Sequence, residues 1–231
     1  MTAPARSGFV QRPATAGARP AGLTSRPTAG GTGSLAFSRM LENASRRASP
    51  SAETAASAAS LRRIQGFNQA NRGEYDSAEQ ASLWGGSTCS AAALVAVLRA
   101  RGVRVRIADV MRAMPGGLTP ELGLVSRPAL VSAAARFGAT TRDDVTNYDG
   151  IRRAVAAGQP VMVDITNDRF PAGHWLVVTA ADETGVRVAD SSGDNLTTIP
   201  RDEFLAAWSG RGIRVLDSPS RLAPVPQRRG F

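Results

Sequence analysis

Near Pro160 the apolar pattern of this 231-residue chain changes period, and that switch constrains the fold more than any other feature. Before it, apolar residues recur three and four positions apart, the spacing of one helical face. Residues 89–101 carry Ala92, Val95, Ala96 and Leu98 in that pattern. Thr88 or Ser87 is placed to cap the start of this helix, and Gly102 to end it. Residues 107–114 form a second, shorter helix that stops at Pro115-Gly116-Gly117. A third spans 127–137 and stops at Gly138, and a fourth spans 148–157 and stops at Gly158. Residues 116–126 read as a loop. After Pro160 the apolar runs become short and β-branched, so 161–165, 174–180 and 186–189 read as strands. A polar loop at 166–173, holding Pro171, separates the first two strands, and a turn at 182–185 joins the last two. Residues 200–209 return to helix and 212–216 form a closing strand. Helices first and an antiparallel sheet after them define an α+β fold.

The formal charge of +9 belongs to the ends of the chain. Residues 1–63 hold nine arginines against Glu42 and Glu53, and 218–231 hold three arginines and no acid. The middle balances sixteen arginines with seventeen acids, and there is no lysine. Residues 1–65 are rich in Ala, Ser, Thr, Pro, Gly and Arg and poor in aromatic and branched apolar residues. That composition does not offset the entropy of ordering, so disorder is expected, with local or docking helices at 35–44 and 52–64. The tail arginines lack interleaved aromatics for base stacking, which points away from nucleic acid and toward a solvated linker. The expected organisation is a basic tail over 1–65, a folded domain over 66–217 and a Pro/Arg tail over 218–231. No window reaches the length of a membrane span, and the first residues lack the apolar core of a signal peptide. The chain is therefore expected to be cytoplasmic or exported without a cleaved signal. Composition leaves the oligomeric state open.

The folded region holds the chain's one cysteine, Cys89, and its one histidine, His174. One cysteine makes no intramolecular disulfide, so a disulfide-stapled scaffold is excluded. Cys89 opens the first long helix, where unpaired N–H groups and the positive end of the helix dipole favour a thiolate. By itself it reads equally as a small buried residue. His174 starts a strand 85 residues later, and Asp190 ends the next strand. Two antiparallel strands joined by a short turn place His174 and Asp190 side by side, with Asp194 a second candidate for the acid. An imidazole that takes a thiol proton, and a carboxylate that fixes its tautomer, are what nucleophilic acyl transfer needs. An oxyanion also needs donors, which the Cys89 backbone N–H and the amide of Gln80 are placed to supply. Trp84, Trp175 and Trp208 read as core or cleft-wall residues, and Trp175 as a shield for the histidine–acid contact. The specificity loops are expected at 116–126 and 166–173.

The run Thr88-Cys89-Ser90-Ala91-Ala92-Ala93-Leu94, followed by Val97-Leu98-Arg99-Ala100-Arg101-Gly102, resembles the nucleophile helix of peptidase C-thirty-nine-like domains. These belong to the papain-like cysteine peptidases and include bacteriocin-processing double-glycine peptidases. The resemblance continues through Gly173-His174-Trp175-Leu176-Val177-Val178-Thr179 and Val188-Ala189-Asp190-Ser191 to Phe204-Leu205-Ala206-Ala207-Trp208. It covers about residues 75–217. It implies a papain-like fold, a peptide or protein substrate and no cofactor or metal. Cys89 is then the nucleophile, His174 the base and Asp190 the orienting acid. The family often has Cys-Gly-Pro where this chain has Cys89-Ser90-Ala91. Its oxyanion glutamine commonly stands six residues before the cysteine, where this chain has Leu83, and Gln80 is nine residues ahead. The implied reaction is hydrolysis of a peptide or amide bond through a thioester. The same fold would also serve an acyltransferase, deamidase or transglutaminase, or a non-catalytic peptide-binding module.

Overall fold

The computed structural model describes residues 52–216, and residues 1–51 and 217–231 lie outside it, together with the helix expected at 35–44. The first half is helical. Helix α1 spans Ala52–Arg63, a 3-10 turn spans Arg72–Glu74, and α2 spans Ala78–Trp84. Helices α3 (Cys89–Ala100) and α4 (Ile107–Ala113) follow. A small hairpin pairs β1 (Leu118–Thr119) with β2 (Gly123–Leu124), and α5 spans Arg127–Arg136. The loop expected at 116–126 therefore holds a two-stranded hairpin.

Helix α1 is the docking helix expected at the end of the tail. Leu61 and Ile64 are buried in the core, so these last tail residues belong to the folded unit.

The second half forms a six-stranded antiparallel sheet of order β3-β8-β4-β5-β6-β7. Its strands are β3 (Thr140–Val145), β4 (Val161–Asn167), β5 (Phe170–Ala181), β6 (Gly185–Ala189), β7 (Thr198–Pro200) and β8 (Trp208–Leu216). Helix α6 (Tyr148–Ala156) links β3 to β4, and α7 (Arg201–Ala207) links β7 to β8. The architecture is the expected α+β.

Three helices stop where expected, and for one reason. Gly102, Gly138 and Gly158 take φ of +82°, +78° and +76°, the left-handed region that glycine enters without steric cost. Ser126 and Asn147 cap α5 and α6 by accepting from Ala129 N–H and Gly150 N–H. Helix α3 departs from the amphipathic expectation. Every one of its residues except Arg99 is buried, because α1, α4, α5 and β5 surround it. Leu94 and Leu98 are fully enclosed there, and truncating either to alanine costs about 2–5 kcal/mol.

The sheet departs from expectation at two places. Strand β3, Thr-Thr-Arg-Asp-Asp-Val, is polar and mostly exposed, and it forms the sheet edge beside β8. Ion pairs reinforce it: Asp144 with Arg214 at 2.6 Å, and Asp143 with Arg127 and Arg211 at 2.7 and 3.0 Å. The long loop expected at 166–173 shrinks to Asp168-Arg169, because β4 runs on to Asn167 and β5 begins at Phe170. Pro171 is tolerated inside a strand because β6 pairs only with the later part of β5, from Val177 onward.

Candidate active site

The β4–β5 ladder holds Ile165 opposite His174 and Asn167 opposite Phe170, so its register shifts between them. Three residues, 171–173, face the single Thr166 across this bulge. Gly173 sits in it at φ +87°, a conformation a side chain would strain. Bulges of this kind bend a strand and re-aim the next side chain, which here is His174.

His174 Nε2–H donates to Asp190 Oδ1 at 2.6 Å. The Cys89 side chain stands on the same ring and raises its proton affinity, and with Nε2 on Asp190 the ring nitrogen left to face the thiol is Nδ1. The chain's sole cysteine and sole histidine therefore meet, with the expected acid on the far side of the ring. His174 is 4 % exposed, Cys89 8 % and Asp190 0 %. Burial works against the imidazolium. The hydrogen bonds to Asp190 and Cys89, and the charges of both, outweigh it and push His174 up to about 9.

Asp190 directly follows β6 and lies inside a cradle of donors. Oδ1 also accepts from Ser192 N–H at 2.8 Å, and Oδ2 accepts from Leu196 N–H at 2.8 Å and from the Ser192 hydroxyl. Burial opposes its charge. The bonds from His174, Ser192 and Leu196 prevail and hold the carboxyl well below the usual carboxylate range. Asp194, the second candidate acid, instead pairs with Arg169 at 2.6 Å.

The start of α3 is built differently. Thr88 occupies the N-cap position, yet its side chain makes no capping bond. Its hydroxyl is 2.8 Å from the Tyr75 hydroxyl, which donates to Gln69 C=O at 2.6 Å. The first N–H groups of the helix are left without a side-chain cap, and such a terminus suits an anion. Ser90, next to the cysteine, has the one buried side-chain oxygen without a partner among the described residues.

Gln80 lies in the first turn of α2. Its Oε1 accepts from Asp76 N–H at 2.8 Å and its N–H donates to Ser77 Oγ at 3.1 Å, so both groups serve the helix start. None of its hydrogen bonds reaches Cys89, His174 or Asp190. A different glutamine is seated among the site segments. Buried Gln69 donates from Nε2 to Gly85 C=O at 3.0 Å and accepts at Oε1 from Ser191 Oγ at 2.9 Å. Its backbone N–H donates to Ser191 C=O at 2.9 Å. It thus joins the loop before Cys89 to the loop after Asp190. Gly66, three residues earlier, passes so near that a Cβ there would lie 1.9 Å from Asp190 C=O. No local pattern marks Gln69 in the sequence, because its main partner stands 122 residues away.

Two aromatic assignments also change. Trp175 lies beneath the Arg127 guanidinium at 5.0 Å rather than over the histidine. The ring against His174 is Phe170, stacked at 4.3 Å between centroids. Trp208 stacks on Phe204 within the packed side, as a core residue does. No group of three or more His, Cys, Asp or Glu among the described residues could hold a metal ion. No single helix among them is long and apolar enough to cross a membrane.

A model of the Peptidase_C39 like family matches residues 62–214. Among solved structures, a putative C39-like peptidase from Bacillus anthracis is 16% identical over 68% of this chain and 96% of its own, with a TM-score of 0.49. The peptidase domain of Streptococcus ComA, a bi-functional ABC transporter of a quorum-sensing pathway, is 19% identical over 58% of this chain and 93% of its own, with a TM-score of 0.47. The N-terminal peptidase C39 like domain of a toxin secretion ATP-binding protein from Vibrio parahaemolyticus is 20% identical over 56% of this chain and 97% of its own, with a TM-score of 0.43. No curated protein matches the chain.

Proposed function

Because this chain belongs to the Peptidase_C39 like family, we propose that it is a cysteine peptidase cleaving a peptide or amide bond through a thioester on Cys89. The observation that carries the reading is the single imidazole hydrogen-bonded to a buried carboxylate with the single thiol beside the same ring. In this mechanism His174 Nδ1 takes the thiol proton, and the thiolate attacks the scissile carbonyl carbon. The tetrahedral oxyanion collapses, the C–N bond breaks, and the leaving amine takes the proton from the imidazolium. Water then gives a proton to His174 and attacks the thioester, releasing the acid and restoring the thiol. Asp190 keeps Nε2 protonated throughout, so that Nδ1 always faces the sulfur. The substrate is a peptide or protein.

For the oxyanion we assign the Cys89 backbone N–H and, in place of Gln80, the side-chain amide of Gln69. Support comes from the uncapped start of α3 and from the seat of Gln69 against Gly85. One N–H of its Nε2 is used on Gly85 C=O, and the second remains to donate. We place the peptidase unit between Leu61 and Leu216, with the basic tails outside it.

The test is chemical. Iodoacetamide at pH 6 is expected to label Cys89 faster than a free model thiol, and His174→Ala to slow it. Peptide cleavage followed by mass spectrometry should vanish in Cys89→Ser. Labelling at the model-thiol rate, unchanged by His174→Ala, would overturn the proposal.

A further inference from the structure

We propose that Phe170 is a positioning residue for His174, its ring lying face to face with the imidazole to fix the ring plane and favour its charged form. The inference rests on Cys89 and His174 being a nucleophile–base pair. The two ring centroids lie 4.3 Å apart with 17° between planes. Ordinary strand geometry does not supply this contact. Residues four apart on a regular strand are separated by roughly 13 Å. The register shift and the left-handed Gly173 shorten that path, so the bulge that aims His174 also delivers Phe170 onto it.

Phe170 is itself held. Asn167 Oδ1 accepts from Arg169 N–H at 3.1 Å and from Phe170 N–H at 2.9 Å, which fixes the hairpin tip. The Arg169 guanidinium lies 5.8 Å from the Phe170 ring centroid and pairs with Asp194 at 2.6 Å. Asp194 belongs to the loop whose Ser192 and Leu196 donate to Asp190. One clasp thus ties the tip that carries Phe170 to the loop that carries the acid's donors.

The face of a phenyl ring attracts a cation, so Phe170 stabilises imidazolium over neutral imidazole. It also covers one face of the ring from water. The charged and titratable groups facing His174 are Cys89 from α3 and Asp190 from the end of β6, with the Arg169–Asp194 pair beyond Phe170. Arg127 stands over Trp175, whose side chain alternates to the opposite face of the sheet.

Two readouts test the inference. His174 is the only histidine, so its NMR titration is unambiguous, and the pH profile of Cys89 alkylation reports the thiolate. Phe170→Ala should lower the His174 midpoint by about one unit and slow alkylation at pH 6 roughly tenfold, the size of a partly desolvated cation–π contact. Phe170→Trp should restore both, whereas Phe170→Leu should restore bulk without restoring either. Unchanged titration and profile in Phe170→Ala, or full rescue by leucine, would overturn the role of the ring. Failure of the nucleophile–base reading looks different: wild-type Cys89 would then label no faster than a model thiol, while the His174 midpoint still reports the stack.

Discussion

The two sides of the His174 ring are built on opposite plans. On the acid side every group is satisfied. Asp190 accepts four hydrogen bonds, and the strand of chain from Gly66 to Gln69 lies directly against its loop. On the nucleophile side groups are left open. The N-cap hydroxyl of Thr88 is turned toward Tyr75, the first N–H groups of α3 have no side-chain cap, and the Ser90 hydroxyl has no partner. A saturated acid holds the imidazole in one tautomer, and an open helix start leaves N–H groups that suit an anion. Rigidity and reactivity are separated by the width of one ring.

Breaking the saturated side should have the largest effect. Asp190→Asn removes the charge that balances the imidazolium and is expected to lower kcat/KM about 10³- to 10⁴-fold in a peptide-cleavage assay. Leaving a buried partner unbalanced should also cost on the order of 3 kcal/mol in urea unfolding.

The pH dependence of the ring sharpens the comparison next. The folded-state value of about 9 lies above the ordinary 6.5. Its stabilising contribution is therefore fully present below about pH 6.5 and is lost as pH rises through 9, a change on the order of 3 kcal/mol. The stability difference between wild type and His174→Gln, measured by denaturant titration from pH 6 to 10, should shrink across that window. The alkaline limb of peptide cleavage should fall near the same pH.

The open side is tested by its amide. Gln69→Ala should reduce kcat about 10²-fold, the effect of removing one oxyanion donor. Gln80→Ala should leave kcat unchanged and loosen only the α2 start, by about 1 kcal/mol in thermal unfolding. The smallest effect is expected at Ser90. Ser90→Ala removes a buried hydroxyl that has no partner, so stability should rise or stay within about 0.5 kcal/mol in the same melt.

What could be read from sequence was what local pattern determines. Helix ends followed from Gly102, Gly138 and Gly158, and the inner strands from β-branched runs such as Val161-Met162-Val163. Cys89 and His174 stood out because the only residues of their types fell on element ends, and Asp190 because it closes the strand after the one that His174 starts. What escaped depends on contacts distant in sequence. Strand β3 has no apolar alternation because it lies at an edge and is held by arginines some 70 residues away. Pro171 argued for a loop, since nothing local says that β6 leaves that part of β5 unpaired. Gln80 was favoured for nearness to Cys89 in sequence, whereas Gln69 reaches the site because its segment folds back onto Ser191. The unvarying apolar character of α3 read as one face, because burial from every side leaves no polar stripe to contrast with it.

Strand β8 carries a consequence for when the Cys89–His174–Asp190 cluster is assembled. It is the last described element made, yet it lies between β3 and β4 inside the sheet. A ribosome that has released only the residues up to α7 holds β3 and β4 with no partner between them, and the β4–β5 hairpin that aims His174 lacks its neighbour. Such long-range pairing is slow and comes late. The sheet therefore acts as a length check on synthesis: a nascent chain already carries its cysteine, histidine and acid, but the platform that aligns them closes only once Leu216 has emerged.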